Sequence, residues 1–337
     1  MNDIVDMVAL FRAELDLCKV GSGQVLAVLS EGDTRADYAQ AFLIAARDLG
    51  ATAFQVNLPA RRQPRLETNR PAIEALKRAH MVVDLVKLLF SSEQNELMAA
   101  GVRVLMVVEP LAVLKQMFPT PDLRRRVEAA GERLARAKEL RVTSAAGTDI
   151  RYGLSQYPVL TEYGYTDTPG RWDHWPSGFV LTQGNDRDVE GTVVLAPGDI
   201  VAAFRKYVQS PVRLTVKRGA VTDIAGELDA ELLRSFMQSF NDERAYAVAH
   251  IGWGLNEKAH WHNQASTREL DRELGMHSLA FYGNVLFSLG PNTEVGGTND
   301  TLCHVDLPLR NCSLKLDGET IVDDGRVVPA TMRAPGR

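Results

Sequence analysis

The sequence predicts an α/β protein in which an N-terminal doubly wound parallel-sheet domain is followed by a C-terminal mixed α+β domain. Over the first 140 residues, short β-rich runs alternate with helical patterns, which is the rhythm of parallel strands joined by crossover helices. From about Arg141 onward, β-rich segments are instead separated by Gly, Asn, Asp and Pro. We therefore expect a Rossmann-like domain at 1–142, a second domain at 143–330 and a frayed tail at 331–337.

Each element of the first domain follows from its own pattern. The strands are predicted at 25–29, 52–58, 81–85 and 102–108, and the helices at 38–49, 73–79, 93–100 and, as a long charged helix, 122–140. The turn after the first strand contains neither GxGxxG nor GxxxxGK[ST], so no phosphate cradle for a dinucleotide or a nucleoside triphosphate is predicted there. The fold by itself does not indicate a function.

The second domain is predicted to contain mostly strands. They lie at 192–195, 213–216, 285–289, 302–307 and 312–316, and one helix is predicted at 228–240.

Composition and charge narrow the kind of partner. The formal net charge is -5, which provides no basic face for a nucleic acid or an anionic membrane. The sequence has no uncharged stretch long enough to cross a bilayer, and its acidic N-terminal segment is unlike a signal peptide. Three cysteines at unrelated spacings argue against a disulfide framework. We therefore expect a cytoplasmic protein that acts on a small molecule.

The stretch Cys303-His304-Val305-Asp306 is the strongest candidate for a metal site. If it forms a strand, His304 and Asp306 point to the same face, because side chains alternate across a strand. One more histidine would complete the two-histidine, one-carboxylate set of non-haem Fe(II) sites. His250 is the best candidate, since it follows an apolar run and precedes a glycine-rich turn. The alternative is a hydrogen-bonded pair or a satisfied core histidine.

Other histidines have weaker patterns. His260 and His262 lie in a polar segment that is typical of a loop, where a solvated or substrate-gating role is expected. His80 and His277 are expected to be structural.

Two further segments contain candidate functional residues. Residues 169–178 contain Trp172, His174 and Trp175 among turn formers, which indicates either a lid over a planar ring or an interface loop packed on a neighbouring subunit. Residues 288–297 form a glycine-rich loop in which Glu294 is either a metal ligand or a turn and salt-bridge partner.

These segments together resemble the 2,5-dihydroxypyridine 5,6-dioxygenases, which belong to the wider aminopeptidase T-like group. The resemblance runs through nearly the whole chain. Its most specific motifs are at 169–178, 250–255, 281–284, 288–297 and 303–312, with shorter matches at 109–110, 156–158 and 161–165.

The resemblance implies an Fe(II)-dependent, extradiol-type ring-cleaving dioxygenase that uses O2 on a hydroxylated N-heteroaromatic such as 2,5-dihydroxypyridine, with N-formylmaleamate as product. One Fe(II) per chain is expected on His250, His304 and Asp306. His174 is the expected proton shuttle, and Ser288 is expected to hydrogen-bond the substrate or bound oxygen. A homo-oligomer is also expected.

Similarity to the two-metal aminopeptidases sharpens the metal count. Phe179 and Ser288 stand where those enzymes have metal ligands, and a dinuclear site needs more ligands than remain here. We expect the substrate to contact Phe90, Trp172, Trp175, Phe179 and Glu294.

One position departs from the dioxygenase pattern. Phe90 stands where a histidine that acts as an acid or base is expected, so either His174 does that work or the ring differs. Two alternatives remain open, namely an aminopeptidase T-like metal-dependent hydrolase or amidase, and a non-catalytic, metal-stabilised ligand-binding homologue.

Overall fold

A computed structural model describes residues 2–60, 69–89, 91–265 and 273–337. The chain divides into two compact units. The first contains the described residues within Met1–Pro119, Tyr163–Ser177 and Arg268–Leu274, and the second those within Thr120–Glu162, Gly178–Thr267 and Gly275–Arg337.

The described part of the chain contains helices and strands in alternation, then mainly strands. The helices are α1 (Asn2–Leu17), α2 (Ala36–Asp48), α3 (Arg70–Leu76), α4 (Ser92–Ala99), α5 (Leu111–Gln116), α6 (Pro121–Arg136), α7 (Leu228–Gln238) and α8 (Met276–Leu279). The strands are β1 (Val25–Glu31), β2 (Thr52–Leu58), β3 (Met81–Asp84), β4 (Arg103–Met106), β5 (Glu139–Ser144), β6 (Asp149–Gly153), β7 (Leu160–Glu162), β8 (Trp172–His174), β9 (Phe179–Gln183), β10 (Val189–Leu195), β11 (Ile200–Val201), β12 (Lys206–Tyr207), β13 (Val212–Lys217), β14 (Ala220–Gly226), β15 (Val248–Gly254), β16 (Val285–Leu289), β17 (Val305–Leu309), β18 (Cys312–Leu316), β19 (Glu319–Asp323) and β20 (Arg326–Val327).

The first unit is built on a five-stranded parallel sheet in the order β2-β1-β3-β4-β8. The predicted doubly wound α/β class is confirmed. Strands β3 and β4 are buried along their whole length, as expected of parallel strands covered on both faces. A core cluster that includes Ala27, Ile73 and Val104 joins the sheet to its helices.

The fifth strand of this sheet, β8, was not predicted. Residues Trp172, Asp173 and His174 pair in parallel with Val104, Leu105 and Met106, whereas the sequence analysis assigned them to a lid or interface loop. A strand of three residues between turn formers is too short to show a period of two. The loop interpretation is therefore wrong for these three residues.

The second unit contains three antiparallel sheets. Eight strands follow the order β14-β13-β10-β6-β5-β18-β19-β20, five follow β17-β16-β15-β9-β7, and β11 pairs with β12. Helix α6 packs on β7 and β9 through Gly131, where a Cβ atom would lie 2.6 Å from Thr161 Cγ2 and 3.9 Å from Val180 Cγ2. A glycine at this point lets the helix approach the sheet closely.

The observed units do not follow the linear division expected near residue 142. Helix α6 belongs to the second unit although it precedes that residue, and residues 163–177 belong to the first. The predicted frayed tail also differs from the structure. Met332 is fully buried, and the Ala334 N–H donates to the Tyr282 hydroxyl at 3.0 Å. None of the described helices combines the length and the apolar character needed to span a membrane.

Candidate metal centre

The five-stranded sheet of the second unit places several polar side chains in one row. Asp306 on β17 lies opposite Ser288 on β16, and His250 on β15 lies opposite Gln183 on β9. Residues that lie directly opposite each other in antiparallel strands share a face of the sheet. The row therefore brings together residues from Gln183 to Asp306, which are 123 positions apart in the sequence.

A β-bulge places His250 in this row. The register runs from Val248 opposite Leu289 to Ile251 opposite Phe287, so two residues of β15 stand against the single residue Ser288. Such a bulge redirects a side chain and interrupts the ladder of backbone hydrogen bonds. Ser288 supplies the missing partners, because its Oγ accepts from the His250 N–H at 3.0 Å and donates to the His250 carbonyl at 3.3 Å.

Three ligand-type side chains converge at the end of this row. His250 Nε2 lies 2.9 Å from Asp306 Oδ1, and His304 Nε2 lies 3.1 Å from Asp306 Oδ2. One ligand atom from each residue lies within 4.8 Å of the other two. Among the described residues, this is the only group of three or more His, Cys, Asp or Glu side chains with such spacing.

His304 reaches this group from just before β17. The strand begins at Val305, three residues later than the predicted start at 302. The prediction that His304 and Asp306 lie close together nevertheless holds, as the contact between their side chains shows. His304 thus directly precedes β17 and lies outside its ladder of backbone hydrogen bonds.

The electrostatics of the three groups are coupled. Burial disfavours the charged form of His250, but hydrogen bonds and charges from Asp306 and Glu294 outweigh it and raise the pKa of His250 to about 10. Burial likewise opposes ionisation of Asp306, yet the charges and hydrogen bonds of His304 and His250 hold the pKa of Asp306 well below its usual range. The carboxylate therefore stays ionised, and its charge favours a cation beside it.

Glu294 contacts the other nitrogen of His250. It lies in a 3-10 helix, Thr293–Val295, and its Oε1 is 3.4 Å from His250 Nδ1. Its Oε2 is buried and has no hydrogen-bond partner among the residues that the structure describes. Glu294 thus faces the side of the imidazole that points away from Asp306.

Comparison with known proteins identifies the family. The profile of the family described as NicX, 2,5-dihydroxypyridine 5,6-dioxygenase, matches residues 6–329. The 2,5-dihydroxypyridine 5,6-dioxygenase of Pseudomonas putida strain KT2440 is 43% identical over 340 residues, which cover 96% of this chain and 97% of the relative. The chain belongs to the 2,5-dihydroxypyridine 5,6-dioxygenase family.

Solved structures give the same result. The structure of the 2,5-dihydroxypyridine dioxygenase from Pseudomonas putida KT2440 matches with a TM-score of 0.95 and 42% identity, over 98% of this chain and 99% of that one. Wild-type AmpT from Thermus thermophilus matches with a TM-score of 0.57 and 14% identity, over 96% of this chain and 99% of that one. The likeness to AmpT concerns the fold alone.

Within this dioxygenase chain, the structure gathers part of the predicted site in the second unit. His250, His304, Asp306, Ser288 and Glu294 lie together as described. Phe179 lies opposite Gly254 and therefore on the same face of the sheet as His250, since it is four residues before Gln183 on β9. Phe90 lies outside the described residues.

The remaining predicted residues belong to the first unit. Trp175 is fully buried, with edge-to-face contacts to Phe11 and Phe118 at centroid distances of 5.6 and 5.8 Å. His174 is also buried, and this burial, assisted by the charge of Lys87, lowers the pKa of His174 to about 3. The imidazole is therefore neutral near pH 7. Roles of Trp172, His174 and Trp175 toward a substrate stay predictions.

His80 and His277 agree with their structural interpretation. His80 Nδ1 accepts from the Val25 N–H at 3.0 Å, and His277 Nδ1 accepts from the His260 N–H at 3.1 Å. The solvated or substrate-gating role of His260 and His262, whose ring centroids lie 5.3 Å apart, stays a prediction.

Gln183 was missed by the sequence analysis. It ends the otherwise mostly apolar strand Phe-Val-Leu-Thr-Gln, and every residue of that strand is buried. A long polar side chain at the end of a fully buried strand was the signal that could have found it, because such a group needs a partner.

We predict that Ser288→Ala destabilises the second unit. The substitution removes both hydrogen bonds that the Ser288 hydroxyl makes with the His250 backbone at the bulge, and leaving a buried N–H unsatisfied costs about 1–3 kcal/mol. Urea unfolding should show a free energy of unfolding lower by that amount. In the control Ser313→Ala, water can replace the lost hydroxyl because its hydrogen bonds are exposed. Equal effects of both substitutions would contradict the bridging role of Ser288.

Proposed function

We propose that this chain is a ring-cleaving dioxygenase that uses one Fe(II) and O2 to open the ring of 2,5-dihydroxypyridine. The observation that carries the proposal is the convergence of two imidazoles and one carboxylate in a member of a dioxygenase family. A small aromatic substrate and O2 are then its reactants. We also propose that it is cytoplasmic and homo-oligomeric, as expected from the sequence.

The donor set suits iron. Two imidazole nitrogens and one carboxylate leave open coordination positions on Fe(II), and a bound iron would use them to bring the ring and O2 together. The donor atoms lie close enough for a single ion to contact all three. Asp306 supplies the negative charge, and the histidines would bind as neutral imidazoles, so a cation would take the place of the proton that Asp306 and Glu294 favour on His250.

Glu294 acts in this proposal as a positioning residue for His250. With Nδ1 protonated, its carboxylate would accept a hydrogen bond from Nδ1–H and leave the lone pair of Nε2 available to hold a metal ion. In this proposal Glu294 contacts His250 and not the metal, and this contact replaces the predicted contact of Glu294 with the substrate.

Ser288 acts in this proposal on the backbone of His250 and not on its imidazole. Its hydroxyl accepts a hydrogen bond from the His250 N–H and donates one to the His250 carbonyl. The bulge, and with it the direction of the imidazole, therefore depends on Ser288. We therefore replace the predicted hydrogen bond from Ser288 to substrate or oxygen with this role in fixing the backbone of His250.

Removing a ligand should abolish iron binding. We expect His250→Ala, His304→Ala and Asp306→Ala each to lower Fe(II) affinity by more than the 10- to 100-fold or so that loss of an outer-shell partner costs. Anaerobic titration with Fe(II) measures this directly. The control His262→Ala removes a histidine outside the group and should bind iron normally. Stoichiometric iron in all three ligand variants would disprove the assignment.

Neutralising Glu294 should weaken iron binding without abolishing it. Glu294→Gln keeps the size and one acceptor oxygen but removes the charge that favours Nδ1–H of His250, so we expect about 10- to 100-fold lower Fe(II) affinity. Glu243→Gln, in another 3-10 helix of the same unit, is the matched control. If both variants bind iron like the wild type, Glu294 has no part in positioning His250.

The activity is tested by anaerobic loading with Fe(II), addition of 2,5-dihydroxypyridine, and measurement of O2 uptake together with loss of ring absorbance. We expect one O2 consumed per ring opened. O2 uptake with a different hydroxypyridine only would keep the chemistry and reject the substrate. Zinc-dependent hydrolysis under nitrogen would favour the hydrolase, and ring binding without O2 uptake would favour the non-catalytic homologue.

A further inference from the structure

Gln183 occupies a position beside the metal ligands. It is the last residue of β9 and lies directly opposite His250 on β15, so their side chains project from the same face of the sheet. Cβ atoms of such pairs are about 4.5–5.5 Å apart. The amide of Gln183 is thus a neighbour of the imidazole that contacts Asp306.

The opposite face of the sheet is covered by protein. Helix α6 packs there, with Gly131 against Val180, which is three residues before Gln183 on the same strand. Because side chains alternate along a strand, Val180 and Gln183 point in opposite directions. Gln183 therefore points away from α6 and toward the side that carries His250, Asp306 and Ser288.

The carbonyl oxygen of Gln183 lacks a partner on that side. The residue is 5% exposed, and its buried Oε1 accepts no hydrogen bond from any residue in the described ranges. Burying an amide oxygen without a hydrogen bond is unfavourable, and native structures rarely leave such a group unsatisfied. A bound molecule that carries a donor would satisfy it.

We propose that Gln183 Oε1 accepts a hydrogen bond from an N–H or O–H donor of the bound ring and so fixes its orientation beside His250. This inference rests on the proposed function. In its pyridone form, 2,5-dihydroxypyridine carries a ring N–H next to its carbonyl, and in its hydroxy form it carries an O–H at the same edge. Either donor matches an amide oxygen, which accepts and cannot donate.

The chemistry of the amide suits recognition. Gln183 provides an acceptor without a net charge, whereas a carboxylate at this position would add a negative charge beside Asp306 and Glu294. Gln183 is thereby a specificity residue that selects rings with a donor at the edge it faces.

The test compares Gln183→Met with the wild type in the Fe(II)-loaded protein under nitrogen. Methionine has nearly the same length but no amide oxygen. We expect affinity for 2,5-dihydroxypyridine, measured by the change in ring absorbance, to fall about 10-fold or more, since a buried donor on the ring loses its acceptor. Fe(II) affinity should stay unchanged.

The neighbouring substitution Thr182→Val is the matched control. Thr182 lies on the opposite face of β9, where its hydroxyl donates to the Pro158 carbonyl at 3.0 Å. Its loss should lower stability without a change in ring affinity. Repeating the titrations with 1-methyl-5-hydroxy-2-pyridone identifies the donor. This ring lacks both the N–H and the 2-hydroxyl, so Gln183→Met should lose its effect on it, whereas an unchanged effect would place the donor at the retained 5-hydroxyl and overturn the assignment to the other edge.

Three results would overturn the inference. They are equal ring affinity in Gln183→Met and wild type, an equal loss of ring affinity in Thr182→Val, and a fall in Fe(II) affinity in Gln183→Met that accounts for its weaker ring binding. Failure of the proposed function is distinguishable. A wild type that binds the ring but consumes no O2 rejects the dioxygenase while the effect of Gln183→Met on binding still decides the role of Gln183. A wild type that does not bind the ring rejects both.

Discussion

The carboxylate of Asp306 contacts one imidazole with each of its two oxygens, and the candidate metal centre depends on this arrangement. Without the carboxylate, two histidines would face each other with no charge to hold a cation between them. Without the histidines, a carboxylate in these surroundings would be disfavoured by burial. Asp306 and His250 therefore stabilise each other through opposite charges, and a divalent cation would take the place of the proton on His250.

The backbone of the sheet makes this arrangement possible. Asp306 and Ser288 are paired by the ladder, but a regular ladder would place a different residue of β15 opposite Ser288. The bulge at Ala249 and His250 breaks the ladder at that point, and a hydroxyl replaces the lost backbone partners. A single serine thus links the irregularity of the backbone to the direction of the candidate ligand His250.

The sequence contains enough information for the parallel strands β1 to β4 and for the candidate ligands, but not for all that surrounds them. Parallel strands such as β3 are recognisable as short apolar runs between helices, and the His-x-Asp spacing indicates two neighbouring ligands. The apolar run before His250 and the glycine-rich turn after it made His250 the best candidate partner, and the family resemblance supported that choice. Strand β8 could not be predicted, because three residues show no period and its partner β4 lies far away in the chain. Nor does the sequence show that the Ser288 hydroxyl forms hydrogen bonds with the His250 backbone, since these bonds depend on the bulge in β15.

The polar groups on the site face of the five-stranded sheet have different chemistry for a physical reason. An ionised carboxylate is suited to hold a cation, and Asp306 has that position. A second carboxylate, Glu294, is tolerated because the imidazole of His250 separates it from the first. A third carboxylate, at the position of Gln183, would be buried near these two negative charges, where repulsion between like charges is poorly screened. An amide oxygen at Gln183 avoids this repulsion and still accepts a hydrogen bond, so the proposed contact with a neutral ring would not disturb the charge balance that favours a cation.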